Sequence, residues 1–108
     1  MKELNEVQLQ EVLSQKGNPL AVFFFTPLCG TCNAARRMLE IAEYMLPPEV
    51  VIVTANVNRM PNVVQDYRIS SVPALLVYSA DREEEPRVYY AMGSVERVLE
   101  YIRSVTSQ

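Results

Sequence analysis

The segment from Leu20 to Thr26 reads Leu-Ala-Val-Phe-Phe-Phe-Thr and contains the longest apolar run of the chain, Leu20 to Phe25. Successive side chains of a strand point to opposite faces of a sheet, so a run of this kind is typical of a strand that is buried on both faces. Aromatic and β-branched residues also favour the extended conformation. The segment is therefore predicted to be a central strand of the parallel type, and Pro27 is expected to end it.

Helical patterns lie on both sides of this strand. Asn5 is a suitable helix N-cap, and the helix that it starts is predicted to end at Gly17-Asn18-Pro19. A second helix is predicted from Cys32 to about Met45, because apolar residues recur there at helical spacing. The apolar residues expected on the buried faces are Val7, Leu9, Val12 and Leu13 in the first helix, and Ala35, Met38, Leu39, Ala42 and Met45 in the second.

The pattern then continues as strand, helix and hairpin. A second apolar strand is predicted from Val50 to Val57, and Pro61 fits the first turn of a short helix. Strands that alternate with helices indicate a βαβ unit with a right-handed crossover. Two further strands, Ala74 to Tyr78 and Arg87 to Ala91, are predicted to form a β-hairpin with an acidic turn between them. Apolar residues expected in the two remaining helices are Val63, Val64 and Tyr67 in the short one, and Val95, Val98, Leu99 and Ile102 in a last helix that Ser94 caps.

Length and composition predict a single domain over residues 1–108. The 108 residues include 10 basic and 13 acidic side chains, so the net charge of −3 gives no reason to expect a nucleic-acid partner. The N-terminus lacks the pattern of a secretory signal, and no apolar run approaches the roughly 20 residues that span a bilayer. A cytoplasmic monomer without a membrane partner is the expectation.

Histidine is absent, and the chain contains two cysteines. Hydrolase triads that use a histidine base are therefore excluded. A zinc site with four Cys or His ligands within one chain is excluded as well, so no metal is expected.

The motif that carries chemistry is Cys29-Gly30-Thr31-Cys32, which lies directly between the buried strand and the second helix. A sulfur at a helix start lies near unpaired backbone N–H groups and the positive end of the helix dipole, which stabilise a thiolate. Cys29 is therefore predicted to be a nucleophile, and Cys32, one turn into the helix, the resolving thiol. A permanent disulfide, two inert thiols or half of a metal site are the alternatives that this motif leaves open.

Three features together resemble the thioredoxin superfamily: the Cys29-Gly30-Thr31-Cys32 motif, Val72-Pro73 just before a predicted strand, and Gly93 before the last helix. The run from Asn56 to Pro73 also aligns without a gap to the corresponding segment of that superfamily. The resemblance implies an α/β fold, a three-layer α/β/α sandwich around a mixed sheet of four to five strands.

The same resemblance implies a thiol–disulfide oxidoreductase that acts on protein disulfides. It needs no cofactor beyond its own Cys29–Cys32 pair, and a thioredoxin reductase or another dithiol donor would reduce it again. A cis bond before Pro73 is implied, and the backbone of Val72 would pair with an extended substrate segment. The residues that the resemblance places in the substrate-binding surface are Leu28, Gly30, Thr31, Val72, Pro73 and Gly93.

The chain departs from the family pattern around the cysteines. Leu28 replaces the tryptophan that most thioredoxins carry, while Phe23 and Thr54 align with a buried aspartate and its accompanying lysine. No side-chain base is then evident for Cys32, since Glu40 and Glu43 are expected to face away along the helix. Slower reduction of general substrates is expected, and Thr31 in place of proline favours a less reducing pair. A peptide-binding module with weak or no redox turnover is the alternative function.

Other side chains are assigned structural roles. Arg36 and Arg37 are interpreted as solvated residues on the helix surface, with electrostatic tuning of Cys29 as the alternative. Tyr89, Tyr90 and Tyr101 are expected to be half-buried, with hydroxyl groups in water.

Overall fold

The predicted central strand lies in the middle of a five-stranded mixed sheet in the computed structural model, which describes residues 1–106. The strands are β1 (Lys2–Glu3), β2 (Leu20–Phe25), β3 (Val51–Asn56), β4 (Ala74–Tyr78) and β5 (Arg87–Tyr89), and their order in the sheet is β1-β3-β2-β4-β5. The helices are α1 (Glu6–Ser14), α2 (Gly30–Glu43), α3 (Pro61–Asp66) and α4 (Val95–Arg103), with a 3₁₀ turn at Val57–Arg59.

β2 is buried along its whole length, as its sequence predicts. It pairs in parallel with β3 and antiparallel with β4, and β4 and β5 form the predicted hairpin. β1 was not predicted, because two charged residues carry no strand pattern. It pairs in parallel with β3 and extends the sheet to five strands.

Two apolar layers cover the sheet, one on each face. On one face α2 and α4 pack over Phe23, Leu75 and Val77. On the other face α1 and α3 pack over Val22, Phe24 and Leu76. Because side chains alternate along β2, Phe23 and Phe24 point into opposite apolar layers. The sheet with helices on both faces is the three-layer α/β/α sandwich that the resemblance implies.

The predicted starts of α1, α3 and α4 are confirmed. The Asn5 side chain accepts a hydrogen bond from the Gln8 N–H at 2.8 Å, and the Gln8 side chain binds the Asn5 N–H in return. Ser94 accepts the Arg97 N–H at 3.0 Å, and Pro61 occupies the first turn of α3. Each of these residues satisfies or removes a backbone N–H that has no partner inside the helix.

Several predicted details were wrong. Val7 lies on α1 but is 66% exposed, so the buried face of α1 is narrower than its apolar residues indicate. α2 begins at Gly30 rather than Cys32 and ends at Glu43, which leaves Met45 outside it and exposed. β2 ends one residue before Thr26, and β5 ends at Tyr89. Such differences of one to three residues fall where helices and strands fray.

Arg82 joins the hairpin turn to the end of α1. Its guanidinium donates four hydrogen bonds of 2.7–3.1 Å to backbone carbonyls and lies 5.0 Å from the centre of the Tyr78 ring. Burial lowers the pKa of Arg82 from its ordinary value. Arg82 therefore donates to carbonyl groups in the last turn of α1, where intrahelical N–H donors are lacking, and to carbonyl groups of two loops. The carbonyl acceptors belong to Val12, Leu13, Asn18 and Ser79.

Candidate active site

Cys29 and Cys32 form a disulfide at the start of α2, with their Cα atoms 5.2 Å apart. Cys29 is the N-cap residue of the helix, in an extended conformation, and its Sγ accepts a hydrogen bond from the Cys32 N–H at 3.2 Å. The Cys29 side chain is half-buried, whereas Cys32 is only 3% exposed. The two cysteines thus differ in solvent exposure, and the more exposed one, Cys29, lies at the N-terminal start of α2.

The local sequence explains this arrangement. Pro27 lacks the N–H that a continued strand would need, so the chain leaves the sheet after Phe25 and turns into α2. The first turn of α2 has no acidic residue, so no carboxylate offsets the positive end of the helix dipole. The helix start therefore favours negative charge on the Cys29 sulfur.

Two neighbours of the disulfide are Thr31, in the first turn of α2, and Leu28, in the loop before it. The hydroxyl of Thr31 lies 3.5 Å from the Cys29 Sγ, a contact that the sequence pattern did not indicate. The side chain of Leu28 is 98% exposed, so its apolar surface has no partner among the described residues. A polar contact and an apolar surface therefore flank the accessible sulfur.

The peptide bond between Val72 and Pro73 is cis, as the resemblance implies. Ala74 pairs with Phe24 across the antiparallel β2–β4 ladder, so Val72 and Pro73 lie level with the end of β2. Residues 26–29, which connect β2 to α2 and include Cys29, follow directly and are called the cysteine loop. Val72 and Cys29 also pack at the margin of the same apolar cluster, which contains Cys32. The structure thus brings the cis turn beside the cysteine loop.

Gly93 lies at the edge of this region. Its neighbour Met92 packs in the cluster of Cys32, and a shallow cleft is lined by Ala91, Gly93, Ser94 and Arg97. A Cβ atom added to Gly93 or to Gly30 would meet no atom within 4 Å. The described structure therefore needs neither glycine for its own packing.

Tyr90 ties the loop before the cis bond to β5. Its hydroxyl accepts the Ser70 N–H at 3.1 Å and donates to the Arg68 carbonyl at 3.3 Å. The Tyr101 hydroxyl donates to the Ala91 carbonyl at 2.7 Å, and all three of these bonds are exposed, so the hydroxyls bind the backbone at the protein surface. Tyr89 and Tyr101 are half-buried as predicted, whereas Tyr90 is 38% exposed. The Tyr101 ring also stacks on Tyr89.

Phe23 and Thr54, which align with the buried aspartate and lysine of the resemblance, are direct neighbours across β2 and β3. Both are buried, so two neutral side chains occupy the positions of a charged pair. Glu40 and Glu43 are exposed on α2, as predicted.

Arg36 is not a solvated side chain, which corrects its interpretation from the sequence. It is half-buried, and its guanidinium carbon lies 4.8 Å from the centre of the Phe25 ring and 5.5 Å from that of Phe23. These distances are those of a cation–π contact. Arg37, the next residue, is exposed as predicted.

Residues 1–106 contain no group of three or more Cys, Asp or Glu side chains able to hold a metal ion. In the same described range, no helix has the length and apolar character needed to cross a membrane.

Comparisons with known proteins agree with this geometry. The thioredoxin family model matches residues 1–104. The chain belongs to the thioredoxin family. It is 35% identical over 107 residues to the thioredoxin-like protein YusE of Bacillus subtilis (strain 168), covering 99% of this chain and 95% of that protein. It is 29% identical over 86 residues to thioredoxin 1 of Synechococcus elongatus, covering 80% and 76% of the two chains.

Solved structures show the same fold. A crystal structure of chloroplastic thioredoxin z superposes with a TM-score of 0.86 at 19% identity, covering 100% of this thioredoxin-family chain and 96% of the other. A mutant thioredoxin from Halobacterium salinarum NRC-1 gives 0.81 at 16% identity, with coverage of 99% and 91%. Family membership and the Cys29–Cys32 disulfide at the active-site position make this thioredoxin-family protein a protein thiol–disulfide oxidoreductase. Proteins with disulfides and reductases are its partners in general terms.

Proposed function

We propose that the chain exchanges disulfides with extended segments of protein substrates, with Cys29 as the nucleophile and Cys32 as the resolving thiol. The observation that carries this assignment is the asymmetry of the pair. The Cys29 sulfur is accessible and accepts a backbone N–H at the start of α2, whereas Cys32 is buried one turn behind it. A thiolate is the attacking species in disulfide exchange, so the sulfur at the helix start attacks first.

The exchange proceeds in two balanced steps. The Cys29 thiolate attacks one sulfur of a substrate disulfide, which forms a bond between Cys29 and the substrate and releases the other substrate sulfur as a thiolate. The Cys32 thiolate then attacks the Cys29 sulfur, forms the Cys29–Cys32 disulfide and releases the second substrate thiolate. The substrate gains two electrons and the protein loses two, while protons pass to the substrate thiolates through solvent. A dithiol donor, such as a thioredoxin reductase, returns the two electrons.

The surface around Cys29 supports alignment of an extended substrate. Val72 precedes the cis bond beside the cysteine loop, where its backbone is placed to pair with a substrate strand. The exposed Leu28 side chain offers an apolar contact next to the reacting sulfur, together with Gly30 and Thr31. Gly93, at the edge of this surface, leaves open space for a substrate, since nothing packs where a side chain at this position would lie.

Trapping the mixed disulfide tests the assignment. Cys32→Ser is expected to accumulate a covalent adduct with a disulfide-containing protein such as insulin, because Cys29 attacks but nothing resolves the bond. Cys29→Ser is the matched control, and no adduct is expected from it. Equal adduct formation by the two variants, seen on a non-reducing gel, would contradict the assigned roles.

Gly93→Leu tests the substrate surface separately. The fold leaves space for the new side chain, so the free energy of unfolding is expected to change little, while the KM for a protein disulfide rises severalfold. Gly30 is unsuitable as a control because it lies in the cysteine motif. Arg37→Leu, at an exposed position on α2, is the control instead. An unchanged KM in Gly93→Leu would remove Gly93 from the substrate surface.

A second candidate function is a peptide-binding module with little redox turnover. The observation that favours it is the neutral pair Phe23 and Thr54, which leaves Cys32 without an acidic side chain as a proton acceptor in its buried cluster. A protein-disulfide reduction assay with dithiothreitol separates the two functions. Equal rates for the wild type and Cys29→Ser would favour the binding module, whereas loss of the rate in Cys29→Ser supports the oxidoreductase.

A further inference from the structure

Arg36 holds a positive charge beside the layer that buries Cys32. Its guanidinium lies over the rings of Phe25 and Phe23, at 4.8 and 5.5 Å from their centres. Both rings belong to the apolar cluster that contains Cys32. The charge is therefore held in place by two rings of the apolar cluster in which Cys32 is buried.

The helix places Arg36 and Cys32 on the same face. Residues four apart on a helix are neighbours, with Cβ atoms roughly 5–6 Å apart. Helical side chains also lean toward the N-terminus of the helix, so the arginine side chain extends toward the turn that contains Cys32. The half-buried environment of Arg36 weakens the screening of its charge by water.

No carboxylate offsets this charge within residues 1–106, where Arg36 has no acidic oxygen within 4.0 Å. On α2 itself, Glu40 is exposed and Glu43 faces the N-terminal amino group of Met1 at 3.4 Å. The strand residues in the cluster come from β2, β3 and β4 and are apolar, and buried Thr54 of β3, which pairs with Phe23, is neutral. The stacked pair Tyr89 and Tyr101 is the ionisable contribution from β5 and α4. The charged residues of α4 are Glu96, Arg97, Glu100 and Arg103, and they face away from this cluster.

We propose that Arg36 is a positioning residue for the redox pair, which stabilises the thiolate form of Cys32 and makes the couple more oxidising than it is without this charge. The inference rests on the proposed function. Reduction of the Cys29–Cys32 disulfide adds two electrons and produces two sulfurs that ionise, whereas the disulfide carries no charge. A nearby cation therefore stabilises the reduced form selectively, and a stabilised reduced form is a stronger oxidant. Where the family pattern has a buried acid, this chain has a neutral ring with a cation over it.

Equilibrium with glutathione tests the proposal directly. The fraction of oxidised protein is measured by acid quenching and alkylation across a series of reduced-to-oxidised glutathione ratios. Arg36→Met is expected to shift the equilibrium toward the protein disulfide by about threefold or more, as expected for the loss of a unit charge near a sulfur. Arg37→Met removes the same charge from an exposed neighbour on the same helix, and little change is expected from it.

Two further variants separate charge from packing. Arg36→Lys keeps the charge and is expected to retain most of the wild-type equilibrium, whereas Arg36→Gln keeps a polar side chain without charge and is expected to resemble Arg36→Met. In a Cys29→Ser background, the ultraviolet thiolate absorbance of Cys32 is expected to appear at higher pH when Arg36 is neutralised. Arg36→Gln provides the readout should Arg36→Met fail to fold.

The outcomes distinguish this inference from the proposed function. An equilibrium that is the same in Arg36→Gln and the wild type, or that shifts equally in Arg37→Met, would overturn the role of Arg36 while leaving the redox function intact. Failure of the wild type to reach any equilibrium with glutathione would instead overturn the proposed function.

Discussion

The hydroxyl of Thr31 lies 3.5 Å from the Cys29 sulfur and is placed to donate to that sulfur once it is an anion. Hydrogen bonds to a charged acceptor are roughly twice as strong as those between neutral groups. We therefore expect Thr31→Val to slow alkylation of Cys29 in mildly acidic buffer by about threefold to tenfold, because less of the thiol is ionised. The measurement is the rate of reaction of the reduced protein with iodoacetamide.

Thr31→Ser is the matched variant, because it keeps the hydroxyl and loses only a methyl group. Its alkylation rate is expected to remain near that of the wild type. If the serine and valine variants slow the reaction equally, the effect belongs to helix packing, and the hydroxyl has no part in holding the thiolate.

Arg82 connects α1 to the loops around it, because its guanidinium donates hydrogen bonds to four backbone carbonyls in these segments. Arg82→Ala is expected to lower the free energy of unfolding by about 2–4 kcal/mol, since half-buried carbonyls lose charge-assisted bonds. The backbone of Arg82 has a φ of 56°, which favours glycine. Arg82→Gly is therefore expected to cost about 1 kcal/mol less than Arg82→Ala, although it loses the same bonds.

Urea unfolding of the two variants measures both numbers. The control is Arg103→Ala, at an exposed position in the last turn of α4. Its free energy of unfolding is expected to change by less than about 0.5 kcal/mol. An alanine variant at Arg82 that is as stable as this control would show that the carbonyl contacts contribute little.

The Tyr90 hydroxyl connects β5 to the loop that leads to the cis bond. Tyr90→Phe removes both of its hydrogen bonds and keeps the ring, so the cost in stability is expected to be about 1 kcal/mol. Because the loosened loop carries Val72, the KM for a protein disulfide is expected to rise about threefold or more. The rate with a small-molecule disulfide, which needs no strand pairing, is expected to stay the same.

Comparing the two substrates in one preparation gives the decisive readout for Tyr90. A rise in KM for both substrates would point to a change at the sulfurs themselves. No change for either would show that the loop keeps its position without the tyrosine hydroxyl.

At the scale of the whole molecule, the features predictable from sequence are those set by neighbouring residues. The run Leu20 to Phe25, the capping side chains of Asn5 and Ser94, and the strand–loop–helix placement of the cysteines all follow from local patterns, and the structure confirms them. The fold class followed from the alternation of these elements together with the family resemblance.

Contacts between distant residues were not predictable, because nothing in a single sequence pairs them. Glu6 accepts hydrogen bonds from the backbone N–H groups of Asn62 and Val63 at 2.9 and 2.8 Å and so caps α3, yet it is 56 and 57 residues away from them. Arg82 and Tyr90 likewise act on segments far along the chain. The interpretation of Arg36 was wrong for the same reason, since its partners are rings on a strand that precedes its own helix.

The redox state of the cysteine pair and the stability of the whole fold are coupled through the Cys29 thiolate. If the start of α2 stabilises this thiolate, the pKa of the Cys29 thiol is lower in the folded reduced protein than in the unfolded chain, where it is about 8.5. A lowered pKa in the folded state adds stability that is complete above the unfolded value and is lost as the pH falls through the folded value. The oxidised protein has no thiol to ionise and lacks this dependence.

The unfolding free energy of the reduced protein, taken relative to that of the oxidised protein, is therefore expected to rise with pH and to level off near pH 8.5, by about 1.4 kcal/mol for each unit by which folding lowers the pKa. Urea unfolding of both forms over a series of pH values measures it. The Cys29→Ser, Cys32→Ser double variant has no thiol. Its unfolding with and without reductant shows how much of the pH dependence of the unfolding free energy comes from groups other than the cysteines. Cys32→Ser keeps Cys29 as its one thiol, so its free energy of unfolding relative to the double variant reports on Cys29 alone. If that difference stays flat with pH, the folded chain holds the Cys29 thiolate no better than the unfolded one does, and the basis for its selection as nucleophile fails.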